Sequence, residues 1–253
     1  MSDDFAVAAE FYDLWFCEQW KQTGPELSNL LGDVDATTGP VLDLGAGTGL
    51  ATLTVADAVQ DASIVAVELA RAMRAVLFSR VMSRPDLRSR VTIAPAASGE
   101  LLWPAQIGGF VAMAMLGHLG PDERIVLWNR LGEHLAPGAP AIVQLQPPAR
   151  PERVPLVRHT VVDLGDHTYE GWSKGEPAGD RLVLWSLRYV VRNGDRVIDD
   201  QHWTSEFQTV SIDDVTAEAG AVGFTVATPP STPSGLVALR RHRSHAVGDF
   251  TRP

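Results

Sequence analysis

Asp43-Leu44-Gly45-Ala46-Gly47-Thr48-Gly49 is the stretch on which the reading of this chain turns. It continues the apolar run Val41-Leu42-Asp43-Leu44 and leads into a helix-forming segment, Thr48 to Val59. Glycines at alternate positions let the backbone reverse tightly between strand and helix, and keep side chains out of a ligand's way. The free N–H groups of the helix start point at the same place. Two readings follow: a tight turn and nothing more, or a cradle for a cofactor. A dinucleotide fingerprint would run Gly-x-Gly-x-x-Gly. Here Leu50 occupies the place of its last glycine, and Asp43 lies outside that pattern.

Working outward from the loop, apolar runs alternate with helical segments, the mark of a parallel sheet with crossover helices. Strands are expected at Val41 to Leu44, Ile64 to Val67, Val91 to Ile93, Phe110 to Ala114 and Ala141 to Leu145. Helices are expected at Thr48 to Val59 and Arg71 to Met82. A further helix starts at Gly120-Pro121-Asp122-Glu123 and runs to about Leu135, with proline at its first position and acids in its first turn. A helix capped by Ser211, then strands at Phe224 to Val226 and Leu236 to Leu239, complete the sheet. The expected fold class is α/β: a Rossmann-like seven-stranded, mostly parallel sheet with flanking helices.

Four segments are expected. Residues 1–39 form an N-terminal helical lid of two amphipathic helices, Phe5 to Trp20 and Pro25 to Leu31. Residues 40–145 form the cofactor-binding core. Residues 146–210 form an antiparallel insert between strands five and six, either a substrate roof or a dimer contact. Residues 211–253 complete the sheet and end in a tail. The insert opens on four prolines between 146 and 155, which suits a boundary. Its clearest feature is a hairpin in which Val183, Trp185, Leu187, Tyr189 and Val191 alternate along one face. A type I′ turn at Asn193-Gly194 would set Arg188 opposite Asp199 and Leu184 opposite Trp203.

Composition narrows the function. The 253 residues carry 31 acidic and 21 basic side chains, a formal charge of -10, which argues against a nucleic-acid partner. A single cysteine, Cys17, excludes an intrachain disulfide. His134, His159, His167, His242 and His245 show no metal-ligand spacing, so no metal is expected. His202 and Glu206 share a strand face that reads as surface. The acidic N-terminus lacks a signal peptide and no apolar run spans a membrane, so a cytoplasmic protein is expected.

The acid-x-Gly-x-Gly-x-Gly signature of residues 43–49 resembles that of the class I S-adenosylmethionine-dependent methyltransferases. Glu68 ends the second strand 25 residues after Asp43, where a carboxylate can accept hydrogen bonds from both ribose hydroxyls. Glu68-Leu69-Ala70-Arg71-Ala72-Met73 is similar to the family's second motif, which implies Met73 near the adenine. Ala96-Ala97 stand where the family often has an acid followed by a small residue; the acid is missing here. The resemblance implies S-adenosylmethionine as cofactor, held by Asp43, Gly45, Ala46, Gly47, Gly49, Glu68, Leu69, Met73, Ala96, Ala97 and Met115.

Met115-Leu116-Gly117-His118-Leu119 after strand four lacks the Asn/Asp-Pro-Pro-aromatic pattern of base methylation, and its Gly-His-Leu narrows the resemblance. Together with an N-terminal Tyr12-Asp13 and the insert, it is similar to the N,N-dimethyltransferases of nucleotide-linked deoxyamino sugars. That resemblance implies Tyr12 and His118 as catalytic residues beside the substrate amine, and a small-molecule acceptor. It and the exposed-looking hairpin also point to a homodimer. His118 reads either as a general base or orienting partner, or as a loop cap; Tyr12 reads as a lid residue or as part of the apolar cluster around Phe11 to Phe16. The competing functions are O-methylation of a hydroxyl, nicotinamide-dependent oxidation, and cofactor binding without turnover.

Overall fold

The computed structural model describes residues 6–228 and 234–241. Strands β1 (Val41–Leu44), β2 (Ile64–Val67), β3 (Val91–Ala94), β4 (Gly109–Ala112), β5 (Pro140–Gln144), β10 (Phe224–Thr228) and β11 (Leu236–Arg241) form one sheet. Its order is β10-β11-β5-β4-β1-β2-β3. The first five strands pair in parallel, and β11 runs antiparallel between β5 and β10. The α/β class and the seven strands expected from the sequence are thus what the chain forms.

Every residue of β1, β4 and β5 is buried, as strands covered on both faces require. Alternate side chains serve opposite layers. Leu42, Leu44, Phe110, Ala112, Ala141 and Val143 pack with Trp128 and Leu131 of α4 (Pro121–His134) and with Val215 of α5 (Ile212–Gly220). Val41, Ile64, Ala66, Val111 and Ile142 pack against the other three helices. These are α1 (Ala6–Leu30), α2 (Leu50–Ala58) and α3 (Arg71–Ser83).

Three expectations are corrected here. The N-terminal segment is one helix, Ala6–Leu30, with Pro25 inside it. An internal proline costs about 3 kcal/mol. Thr23, Leu27 and Leu31 are fully buried, and Trp20 Nε1 donates to Thr54 Oγ1 at 3.1 Å, so docking on α2 offsets that cost. Of the two separate helices, Phe5 lies outside the described residues.

The insert is a four-stranded antiparallel sheet, β6 (Val154–Leu164), β7 (His167–Pro177), β8 (Leu182–Asn193) and β9 (Arg196–Gln208). The run of prolines is only partly a boundary, because Pro155 is the second residue of β6. That position is tolerated because β6 is an edge strand.

The β8–β9 turn is Gly194-Asp195, not Asn193-Gly194. Asn193 pairs with Arg196, and a bulge follows at Val191/Arg192. Arg188 therefore faces His202, Leu184 faces Glu206, and Trp203 faces Leu187. Gly194 takes φ 55 at the first turn position, which glycine adopts at no steric cost. The β9 register moves by three, an odd number, so Trp203 joins the face of Leu187 and Tyr189. That face packs on Phe11 of α1.

Candidate functional site

The two cavities that matter lie at the carboxyl ends of the parallel strands, where open α/β sheets bind ligands. The first has a volume of about 380 Å³ and is lined by Gly45, Gly47, Glu68, Leu69, Met73, Ala96, Ala97 and Met115 among others. Eight of the eleven residues implied for cofactor binding therefore meet around one space. The remaining three do not line it. Asp43 is buried beneath the loop, where its Oδ2 accepts from Thr52 Oγ1 at 2.6 Å. Ala46 lines a neighbouring crevice, and Gly49 backs onto Leu77.

The loop needs its glycines for two separate reasons. Gly45, Gly47 and Gly49 all take positive φ, at 73, 57 and 96 degrees. A Cβ on Gly45 would also lie 2.6 Å from Met115 Cγ, and one on Gly49 2.7 Å from Leu77 Cδ1. Above the loop stands Tyr12, whose hydroxyl lies 3.7 Å from the position a Gly47 Cβ would take.

Glu68 ties the site together. Its Oε2 accepts from the Gly47 N–H at 2.8 Å and its Oε1 from the Ala70 N–H at 2.7 Å. Burial raises its pKa, and the two N–H donors and the Arg74 charge act against that rise. A carboxylate offers about four acceptor positions, so two bonds leave capacity for a diol. Asp43 is pushed up to about 7 by burial, and its Oδ1 has no partner. The residues present fit S-adenosylmethionine. A carboxylate lines the space, a Cβ-free backbone admits a ligand at Gly45 and Gly47, and Leu69, Met73, Ala96 and Ala97 offer an apolar shelf. Ser98 lines the same cavity, at the end where the usual acid is replaced by Ala96.

The second cavity measures about 320 Å³. Its floor includes Ala114, His118, Gln144 and Pro147; its wall is Tyr12, Trp15 and Phe16 of α1; its roof is Trp185, Trp203 and Phe207 of the insert. Tyr12, Ala114 and His118 line both cavities. Ala114 takes φ 54, a strained conformation for a residue with a Cβ, at the end of β4 between the two spaces. His118 closes a short 3₁₀ turn, Leu116–His118, and its ring meets Phe207 edge-on at 5.1 Å. His118 is exposed where its ring faces the cavity space, and desolvation by the protein around it lowers its pKa, which favours the neutral imidazole.

Helix α1 is fastened to the glycine loop. Thr48 Oγ1 donates to Asp13 Oδ1 at 2.6 Å, Arg80 pairs with the other Asp13 oxygen, and Arg80 Nη1 donates to the Thr48 carbonyl at 3.2 Å. This clamp joins three distant segments and holds Tyr12, one residue before Asp13. Sequence reasoning missed Arg80 and Gln144, whose spacing from the loop carries no local signal. Trp172 and His202 stand apart from both cavities. Trp172 stacks under Arg158, and exposed His202 lies 3.2 Å from Asp200.

Among the described residues no group of three or more His, Cys, Asp and Glu could hold a metal ion. No described helix is long and apolar enough to cross a membrane.

Residues 41–138 match the family model of a methyltransferase domain. No curated protein matches the sequence significantly. Among solved structures, CalS10 of Micromonospora echinaspora is an amino pentose methyltransferase involved in calicheamicin biosynthesis, with S-adenosylmethionine bound. It is 19% identical, covers 88% of this chain and 92% of its own, and superposes with a TM-score of 0.72. DesVI of Streptomyces venezuelae is 18% identical over 93% of this chain and 98% of its own, with a TM-score of 0.76. KedS8, a sugar N-methyltransferase of Streptoalloteichus, is 15% identical over 92% of this chain and 93% of its own, with a TM-score of 0.71. At such identities the likeness is one of fold. The chain carries a methyltransferase domain at residues 41–138, set within the fold of the class I S-adenosylmethionine-dependent methyltransferases.

Proposed function

We propose that this methyltransferase moves a methyl group from S-adenosylmethionine to a nitrogen of a small-molecule acceptor, an amino sugar or a related metabolite. The observation that carries this reading is the meeting of two cavities at Tyr12, Ala114 and His118. The smaller cavity fits an acceptor, and the glycine-loop cavity fits the cofactor. The bound cofactor supplies an electrophilic methyl group on a sulfonium.

With the cofactor bound, Glu68 would accept hydrogen bonds from its ribose hydroxyls, and the backbone at Gly45 and Gly47 would admit its amino-acid end. Leu69, Met73, Ala96 and Ala97 would pack against the adenine, and Met115 closes the side of the loop. Asp43 acts from beneath, through Thr52 and the strand end, and Ala46 and Gly49 shape the turn. His118, neutral, accepts a hydrogen bond from the acceptor's N–H and aims its lone pair towards the junction; it takes the proton released on transfer. Tyr12 covers the junction from α1 and excludes water. Such positioning accounts for most of the acceleration a methyl transfer needs.

The test is methylation of amino sugars, simple amines and phenols with labelled S-adenosylmethionine, the new methyl group being located by mass spectrometry. A methylated nitrogen is the expected product. In His118→Ala, turnover falls about 100-fold while cofactor affinity by calorimetry stays within twofold. A methylated oxygen would reject the nitrogen reading, and full turnover in His118→Ala would reject the histidine's role. Neither result touches the fold.

A further inference from the structure

Resting on the methyl-transfer reading, we propose that the acceptor's body is uncharged and aromatic or apolar, and is not carried on a phosphate or nucleotide. Seven aromatic side chains surround the smaller cavity: Tyr12, Trp15 and Phe16 from α1, and Trp185, Tyr189, Trp203 and Phe207 from the insert. Apart from the His118 imidazole, the polar side chains lining it, such as Gln19, Gln144, Ser173 and Ser205, are amides and hydroxyls. These neutral groups hydrogen-bond sugar or phenol hydroxyls and carry no charge. Among the described residues lining this space there is no lysine, arginine, aspartate or glutamate.

Three arginines of the insert's strands are paired with carboxylates outside this cavity. Arg188 pairs with Asp200 at 2.6 Å, while Arg158 and Arg192 converge on Glu170 at 3.5 and 3.3 Å. A diphosphate entering this cavity would shed its hydration and meet no cation, which strongly disfavours it. An aryl or alkyl body meets the reverse situation. It stacks on indole and phenyl faces and removes apolar surface from water on both sides. A volume of about 320 Å³ suits one or two ring systems, with the amine at the His118 end.

The insert register is what makes the cavity aromatic. With the turn at Gly194-Asp195, Trp203 stands opposite Leu187, next to Trp185 on the cavity side. A register displaced by one residue from this one would turn Trp203 to the outer face.

The experiment is a matched pair with the same amino sugar: phenyl glucosaminide against uridine-diphosphate-glucosamine. Binding is measured by calorimetry on the full chain with S-adenosylhomocysteine present, and methylation by mass spectrometry. The phenyl compound is expected to bind at least tenfold more tightly, and Ser205→Arg is expected to narrow that gap by improving only the nucleotide-linked compound. Equal or tighter binding of the nucleotide-linked compound overturns the inference, as does failure of the phenyl compound to bind. Methylation of an oxygen on the phenyl compound would reject the nitrogen reading while supporting the uncharged acceptor. Failure of S-adenosylhomocysteine itself to bind would instead remove the methyl-transfer reading on which the inference rests.

Discussion

At the scale of a residue, Gly117 explains the Gly-His-Leu triplet. A Cβ built on it would lie 2.1 Å from the Phe207 ring, far inside contact distance. Phe207 comes from the insert and stands edge-on to His118. The missing side chain thus lets the insert close over the Leu116–His118 turn. Gly117→Ala is expected to drive the Phe207 ring outward, lowering turnover at least tenfold while cofactor affinity changes less than twofold. Phe207→Leu in the same chain should return part of the rate. Steady-state kinetics beside calorimetry would check this, and an unaffected turnover would sink the account. The triplet itself was legible in the chain. Its reason was not, because Phe207 lies 90 positions further on. Ala114 is more hidden still, since alanine gives no hint of a φ of 54.

At the scale of elements, the contact between α1 and the insert is set by His159 of β6. Its ring stacks on Trp15 at 4.2 Å and covers Gly171, where a Cβ would approach to 2.7 Å. Nδ1 sits 2.9 Å from Thr160 Oγ1, and Nε2 is buried without a partner. Burial pushes this imidazole down to about 4 from its ordinary 6.5. The unfolded chain takes up the proton near 6.5, and the folded chain resists it until about 4. The contribution is therefore complete above pH 6.5 and is lost as pH falls through that window. Asp43, raised to about 7, titrates with the opposite sign over the whole of that range. The comparison is thus between the native chain and His159→Gln. The native melting temperature should fall more steeply from pH 6.5 to 4, and parallel curves would refute this. The helices α2 to α5 and the core strands of this chain were readable because their periodicity is local. The β6–β7 hairpin was not, since β6 is largely exposed and shows no clean alternation.

At the scale of the whole molecule, the C-terminal part is joined to the core by β11 pairing with β5 and by a largely buried ion pair between α5 and α4. Arg124 of α4 is fully buried and forks onto Glu218 of α5, with Nη2 to Oε1 at 2.7 Å; Trp128 Nε1 donates to the same carboxylate at 3.0 Å. Glu218→Ala would leave the guanidinium with the Leu119 carbonyl alone among these partners. Removing one partner of a buried pair typically costs about 3 kcal/mol, so the urea midpoint should fall accordingly; a loss below about 1 kcal/mol would contradict it. The sequence by itself determined the seven-stranded α/β core, the glycine loop and the acid that follows it. Strand and helix periods, glycine spacing and charge balance are properties of neighbouring residues. Only the tertiary structure decided the single N-terminal helix, the Asp13–Thr48–Arg80 clamp, the register that turns Trp203 inward and the junction at Tyr12, Ala114 and His118. Those depend on packing between segments far apart in the chain, where burial outweighs local preference and no spacing records the partner.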